Sequence, residues 1–325
     1  MKNILVAAAI AAIMLSGCSG QSSKDGIVTV EKDCSFEKIM SAKDSVVENP
    51  VAMDIEAWTI NDLGLVCQSS KSDTLFHVFD PVSLSKVSAF GVAGAGPDEY
   101  GHARLLRADG SSAYIVDEVK NKMTIVSGDG SQNEIPLVGE LVAYNSGAVI
   151  KEPYMGFMEY KGDSQDWFIK DFRSGVVADS ISIPRENGRN RDIPMDYRVA
   201  TNGKNVVIAF QFVDECRIVK VGDDGKIESQ IDMEGDGTLS PQQPYYVDVD
   251  CGDDRFFLLS MKNVKFGETG PEGAAEVEIY GYDGKPLGLV KLDFIPMRMK
   301  YDQSNNRLIM LSTSDEDFHL IPLDK

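Results

Sequence analysis

The chain has 325 residues, with 51 Asp and Glu against 32 Lys and Arg, and a net charge of -19. Hydrophobic residues make up 43% of it, enough for a substantial core, which excludes a disordered chain. The acid excess excludes nucleic acid as a partner, because no broad cationic surface is left to neutralise a row of phosphates.

Lys2 is followed by an unbroken apolar run from Ile4 to Leu15, then by Ser16, Gly17 and Cys18. A charged start, a short apolar stretch and small residues at the cut form a secretory signal peptide, and the run is too short to cross a bilayer as a mature helix. The tetrapeptide Leu15-Ser16-Gly17-Cys18 resembles a bacterial lipobox. That resemblance implies a leader over 1–17 and acyl chains on Cys18, several of which together anchor a protein stably. Residues 18–26 are small and polar and read as a flexible tether, leaving 27–325 as the folded domain. The tether has one acid, Asp25, beside Lys24. That is a poor match to the acidic signal that sends some lipoproteins of gut bacteria to the cell surface, so a periplasm-facing outer-membrane anchor is expected. Cys34, Cys67, Cys216 and Cys251 are widely spaced, without a CxxC pair, and are expected to be isolated buried thiols rather than bridges.

From residue 27 onward one unit recurs: apolar strand, tight polar turn, apolar strand. Turns at Asp80-Pro81, Gly128-Asp129-Gly130, Ser174-Gly175, Asp223-Asp224-Gly225 and Asp283-Gly284 each separate two strand-like runs, the signature of hairpins. A second series falls earlier in each unit, at Asn61–Gly64, Asp109-Gly110, Asn202-Gly203, Gly252–Asp254 and Ser304–Asn306. The runs after it, such as NVVIAF and RFFLLS, are continuously apolar, as strands buried on both faces are. Repeats of about 50 residues predict a six-bladed β-propeller, an all-β fold. The sixth unit stops at Lys325 without a final strand. The expectation is that an N-terminal strand at 27–31 closes the ring there, since an open edge is a liability.

Phe90 to Tyr100 reads FGVAGAGPDEY, and 113–130 reads AYIVDEVKNKMTIVSGDG. The first is similar to the GxGPxEY loop of six-bladed propeller lipoproteins of Gram-negative gut bacteria, and the second resembles an NHL-type blade of the TolB-like and NHL-like proteins. The resemblance implies a propeller on a lipid anchor, without a settled activity. The Gly-rich loop, through Gly94, Gly96 and Tyr100, is a candidate ligand grip, with a rigid connector between blades as the plainer alternative.

Three other segments are candidates. The stretch 184–198 concentrates Arg185, Arg189, Arg191 and Arg198 beside Tyr197, and guanidinium forks suit carboxylate or phosphate oxygens, although neighbouring acids balance most of the charge. Asp232, Glu234 and Asp236 alternate as in the start of an EF-hand loop, making Ca2+ a possible cofactor, but the twelfth position is Gln243 rather than the usual Glu. The stretch 262–276 is a long excursion inside the fifth unit. The histidines, His77, His102 and His319, lie apart, and the catalytic signatures HExxH, GxSxG and P-loop are absent from the sequence. The expected function is therefore non-catalytic: a ligand- or protein-binding or scaffolding lipoprotein of the envelope. Its partners would be the membrane, through the anchor, and an envelope protein or glycan. Loops 91–102, 184–198, 233–246 and 262–276 would form the recognition rim. The alternative is a carbohydrate-active hydrolase or lyase with acids at the channel mouth.

Overall fold

A computed structural model describes residues 22–24, 27–41, 44–49, 55–69, 71–108, 110–138, 147–161, 164–184, 196–235, 244–267, 270–312 and 315–323. Those residues are almost entirely β. Four short strands come first: β1 (Ser22–Lys24), β2 (Ile27–Glu31), β3 (Ile39–Ser41) and β4 (Ser45–Val47). Antiparallel meanders follow. Unit one is β5 (Ile55–Asn61), β6 (Gly64–Ser69), β7 (Thr74–Phe79) and β8 (Lys86–Val92). Unit two is β9 (Ala103–Ala108), β10 (Ala113–Asp117), β11 (Lys122–Val126) and β12 (Gln132–Pro136). Unit three is β13 (Ala148–Lys151), β14 (Tyr154–Lys161), β15 (Ser164–Asp171) and β16 (Val177–Pro184), and the parallel pairing of β13 with β9 joins it to unit two in one eight-stranded sheet. Unit four is β17 (Tyr197–Thr201), β18 (Asn205–Phe210), β19 (Glu215–Val221) and β20 (Ile227–Glu234). Unit five has β21 (Tyr246–Cys251) and β22 (Arg255–Ser260), then a separate ribbon of β23 (Val264–Gly267) and β24 (Gly270–Gly273), then β25 (Glu276–Gly281) and β26 (Pro286–Lys291). The sixth has β27 (Pro296–Asp302), β28 (Arg307–Ser312) and β29 (Phe318–Pro322).

Turn chemistry sets these boundaries. Between the third and fourth strands, the carboxylates of Asp80, Asp129, Asp171, Asp224 and Asp283 each accept the backbone N–H two residues on, at 3.0, 2.9, 2.8, 3.0 and 3.2 Å. This Asx geometry builds the turn from the aspartate's own side chain. In four of the five a glycine then takes a positive φ of 75 to 81° (Gly130, Gly175, Gly225 and Gly284), which closes the hairpin where a Cβ would be strained. Both turn series read from the sequence fall where they were expected. The second strands β6, β18, β22 and β28 are buried almost throughout, as their apolar runs predict.

The core is divided into six apolar clusters, each lying between two successive units. Trp167, Ile169 and Ile181 of unit three pack on Val199, Val206 and Ile208 of unit four. Equivalent clusters join one to two, two to three, four to five and five to six. The sixth joins last to first: Ile309, Leu311, Phe318 and Leu320 pack on Trp58, Leu65, Cys67 and Phe79. First strands lie against first strands in the same order, β5 to β9, β13, β17, β21 and β27, and β27 lies against β5.

The N-terminal segment is placed differently from the expectation. Ile27–Glu31 does not fill the last sheet. It runs parallel to β20 at the outer edge of unit four, with Ile27 opposite Gln230 and Glu31 opposite Glu234. β3 then adds to β26 of unit five, and Ser45–Val47 pairs with β29 as the fourth strand of unit six. The segment is thus a strap along three consecutive units. Its position is fixed by Lys32, whose ammonium is fully buried and lies 2.5 Å from Asp214 and 2.7 Å from Glu278. Only placement beside units four and five supplies those carboxylates. Ser22–Lys24, within the stretch read as a tether, pairs with β2. The four cysteines are free; Cys67 and Cys216 are buried as expected, but Cys34 is exposed.

Candidate functional site

In each meander the first strand starts at the end where the fourth strand of the preceding unit finishes. Connections from fourth to next first strand, and from second to third, therefore emerge on one side. Of the loops expected to form the rim, 91–102 runs from β8 to β9 and 262–276 from β22 to β25, while most of 184–198 and of 233–246 falls outside the described residues. On that side a cavity of about 690 Å³ opens. Its wall comes from the first strands and the residues just before them: Glu56 and Trp58 of β5, Arg104 and Arg107 of β9, Tyr197 and Arg198 of β17, and Arg298 of β27, with Tyr100, His102 and Asp196 at the strand starts.

Four arginines in one cavity stand out against a net charge of -19. They differ in how they are held. The Nε of Arg104 donates to Glu118 at 2.8 Å, and Nδ1 of His102 lies 2.8 Å from the same carboxylate. Arg107 reaches across to β21, three units away, where it donates to the Asp248 carboxylate and to the carbonyl of Val249. Asp248 is fully buried and also accepts the N–H of Met299 at 2.8 Å, so it cannot swing away. This strut joins β9 to β21, and the cavity beside it is a cup lined in large part by first strands. Burial disfavours the charge on Arg107, but Asp248 and Asp250 outweigh that and raise its pKa.

Arg198 and Arg298 are held otherwise. Arg198 donates through Nε to the carbonyl of Val247 at 3.0 Å and through Nη1 to that of Tyr197 at 3.1 Å. Carbonyls orient the guanidinium without cancelling its charge. Burial depresses its pKa; Asp248 opposes this, while Arg298 and Arg107 push the same way by repulsion. The side chain of Arg298 has no hydrogen bond or ion pair among the described residues. Two cationic forks thus face the cup with donors to spare.

The Gly-rich loop has a different role. Its ends are clamped by Gly94 N–H to the Tyr100 carbonyl at 2.9 Å and by Tyr100 N–H to Val92 at 2.8 Å. Gly96 N–H donates to the Glu99 carboxylate at 2.6 Å, and Lys120 donates to the carbonyls of Gly96 and Glu99. A Cβ on Gly94 would lie 2.0 Å from Oε2 of Glu99, so the glycine permits this approach. The loop folds round its own carboxylate. Asp117 ties it to β10 by accepting the N–H groups of Gly101 at 2.9 Å, His102 at 3.3 Å, Val119 and Lys120. Burial acts against that carboxylate's charge, and these four donors lower its pKa all the same.

Of the residues singled out from sequence, Tyr100, Tyr197 and Arg198 line the cup, and the two tyrosines are largely buried. Gly94 and Gly96 lie behind it. Arg185, Arg189, Arg191, Asp236 and Cys18 fall outside the described residues. Asp232 and Glu234 stand on the extended strand β20, where Asp232 pairs with Arg217 at 2.9 Å. Among the described residues no three His, Cys, Asp or Glu side chains are grouped so as to hold a metal. Sequence reasoning missed Arg104, Arg107 and Arg298 as a group. Their one local signal is position, since each falls in the first strand of an even-numbered unit, as Arg198 does.

No family model and no curated protein matches the chain. Its fold matches solved structures. A protein described as exported from Bacteroides fragilis aligns with a TM-score of 0.50 at 12% identity, over 89% of this chain and 100% of that one. A member of the DUF4221 family from Bacteroides vulgatus aligns with a TM-score of 0.50 at 11% identity, over 86% and 98%. At such identities the likeness is one of fold alone.

Proposed function

We propose that the chain is a six-bladed β-propeller, closed by the packing of its last blade on its first and by the N-terminal strand Ser45–Val47, and that it is a non-catalytic binding protein of the cell envelope whose central cup takes a small anionic molecule. The cyclic order of the six apolar clusters supports the ring. The binding reading is carried by one observation: Arg198 and Arg298 face the cup without a carboxylate of their own. A partly buried cation lacking its counter-ion is costly unless an anion completes it.

An envelope location is supported by the signal-like start and lipobox of the sequence, and agrees with the description of the Bacteroides fragilis neighbour as exported. In this reading Cys18 holds the protein to the outer membrane facing the periplasm, and the loop with Arg185, Arg189 and Arg191 adds to a rim that receives a glycan or protein partner. The enzymatic alternative rests on Glu56, Asp196 and His102 in the same cup.

Thermal unfolding of the purified protein against a panel of small carboxylates, sulfates and phosphates tests the binding reading. A ligand at 100 times its Kd adds about 2.7 kcal/mol to stability, an easily read shift, and the recovered ligand should be unchanged. If no anion shifts the transition and Arg298→Gln behaves as wild type throughout, the reading fails; a converted ligand would favour the enzyme. Cys18→Ser should move the protein from the membrane to the soluble fraction, and persistence in the membrane would remove the anchor.

A further inference from the structure

Arg107, Arg198 and Arg298 come from β9, β17 and β27, which belong to units two, four and six. They are therefore set at alternate positions around the cup rather than side by side. They are also near enough to line one cavity together. A planar carboxylate has two oxygens, which a single guanidinium fork can take. Three forks approaching from three directions suit a group with three equivalent oxygens. The cup, at about 690 Å³, is far larger than a lone ion needs.

We propose that the cup holds the tetrahedral oxyanion of a phosphate or sulfate ester, its three outer oxygens directed at Arg107, Arg198 and Arg298 and its ester oxygen at the mouth, with the neutral body of the ligand between Tyr100, Tyr197 and the acids Glu56 and Asp196. This rests on the reading of the cup as an anion site. Arg107 is already shared with Asp248, so Arg198 and Arg298 supply the uncompensated charge. Glu56 and Asp196 stand higher on the wall, at or just before the strand starts. They are suited to accept hydroxyl donors and unsuited to a second anionic group.

Isothermal titration with three probes of one body, a hexose 6-phosphate, a hexose 6-sulfate and a hexuronate, tests this. At least one ester should bind about tenfold or more tighter than the hexuronate, the value of one charge-assisted hydrogen bond. Arg298→Gln, which breaks no internal contact, should remove that advantage, and Arg298→Lys should restore only part, because the charge returns without the fork. The source of the oxyanion is read from the same data. A phosphate ester should weaken as pH falls through about 6, where its second proton adds, whereas a sulfate ester should not. Hexuronate binding as tightly as both esters would overturn the tetrahedral site and leave the anionic cup standing. Failure of all three probes, with free sulfate and phosphate also silent, would remove both.

Discussion

The six units fall into two unlike halves. Units four to six carry the N-terminal strap, so β20, β26 and β29 each have an added partner. Units one to three end in β8, β12 and β16, whose outer sides have no strand partner among the described residues. The bare edges are guarded by composition: β8 begins with Lys86, and β12 carries Glu134 and ends in Pro136. The joints between units differ in kind as well. At the strapped joint, Lys32 is buried against Asp214, Glu278 and the hydroxyl of Tyr246, and Lys262 adds a second contact to Glu278 at 2.8 Å. At the bare joint of units one and two, a neutral amide does the work. Gln68 accepts the N–H of Leu105 at 2.6 Å and donates to the carbonyl of Ala103 at 2.8 Å. A joint made by a segment remote in sequence is fixed by charge, whose complement must be found exactly once. A joint between neighbours needs only to satisfy backbone.

The sharpest way to break this contrast is Lys32→Met. It leaves two carboxylates buried without their cation, and removing one partner of a buried pair costs about 3–5 kcal/mol. Chemical denaturation should show that loss, and the strap should become sensitive to protease. Burial opposes the charge on Lys32, yet Glu278 and Asp214 outweigh it and hold its pKa well above the ordinary lysine value. Its stabilisation is therefore full below pH 10.5, the unfolded value, and is lost as pH rises from there through the folded one. A loss under 1 kcal/mol would mean that the strap is not an integral part of the fold. On the bare side, Gln68→Ala orphans one buried N–H and one C=O and should cost about 1–3 kcal/mol. A cost equal to that of Lys32→Met would erase the distinction between the halves.

The same contrast separates what could be read in the sequence from what could not. The hairpins were legible because an Asx turn such as Asp283-Gly284-Lys285 is written in adjacent residues. The apolar second strands were legible because burial on both faces leaves a run like RLIMLS. The strap was legible only as a strand without a partner. Ile27–Glu31 has no local feature that prefers β20 over the edge of unit six, and the choice depends on Lys32 meeting Asp214, 182 residues away. The cup was hidden for the same reason. Arg107 meets Asp248 of a strand three units on, and Arg298 lies in an otherwise ordinary strand. Conversely, the Gly-rich loop drew attention because its composition is local, and its glycines serve Glu99.

The finest test lies within the bare half. His77 on β7 has Nε2 at 2.9 Å from the carbonyl of Thr74, which assigns the proton to that nitrogen, while Nδ1 is buried with no partner. Protonating the ring would place a new N–H where nothing accepts it. Burial, with repulsion from Lys86, lowers the pKa below 6.5, against a smaller opposing effect of the Thr74 carbonyl. The unfolded chain thus takes up a proton at a pH where the native ring still refuses it. Stability is full above 6.5 and falls as pH drops through the folded value. Wild type should lose stability between about pH 6.5 and 5, a range in which few carboxylates titrate, and His77→Leu should flatten that slope. Lys32→Met should leave it intact, since Lys32 keeps its charge throughout that window. If His77→Leu keeps the slope and Lys32→Met removes it, the sensitive group belongs to the strapped half instead.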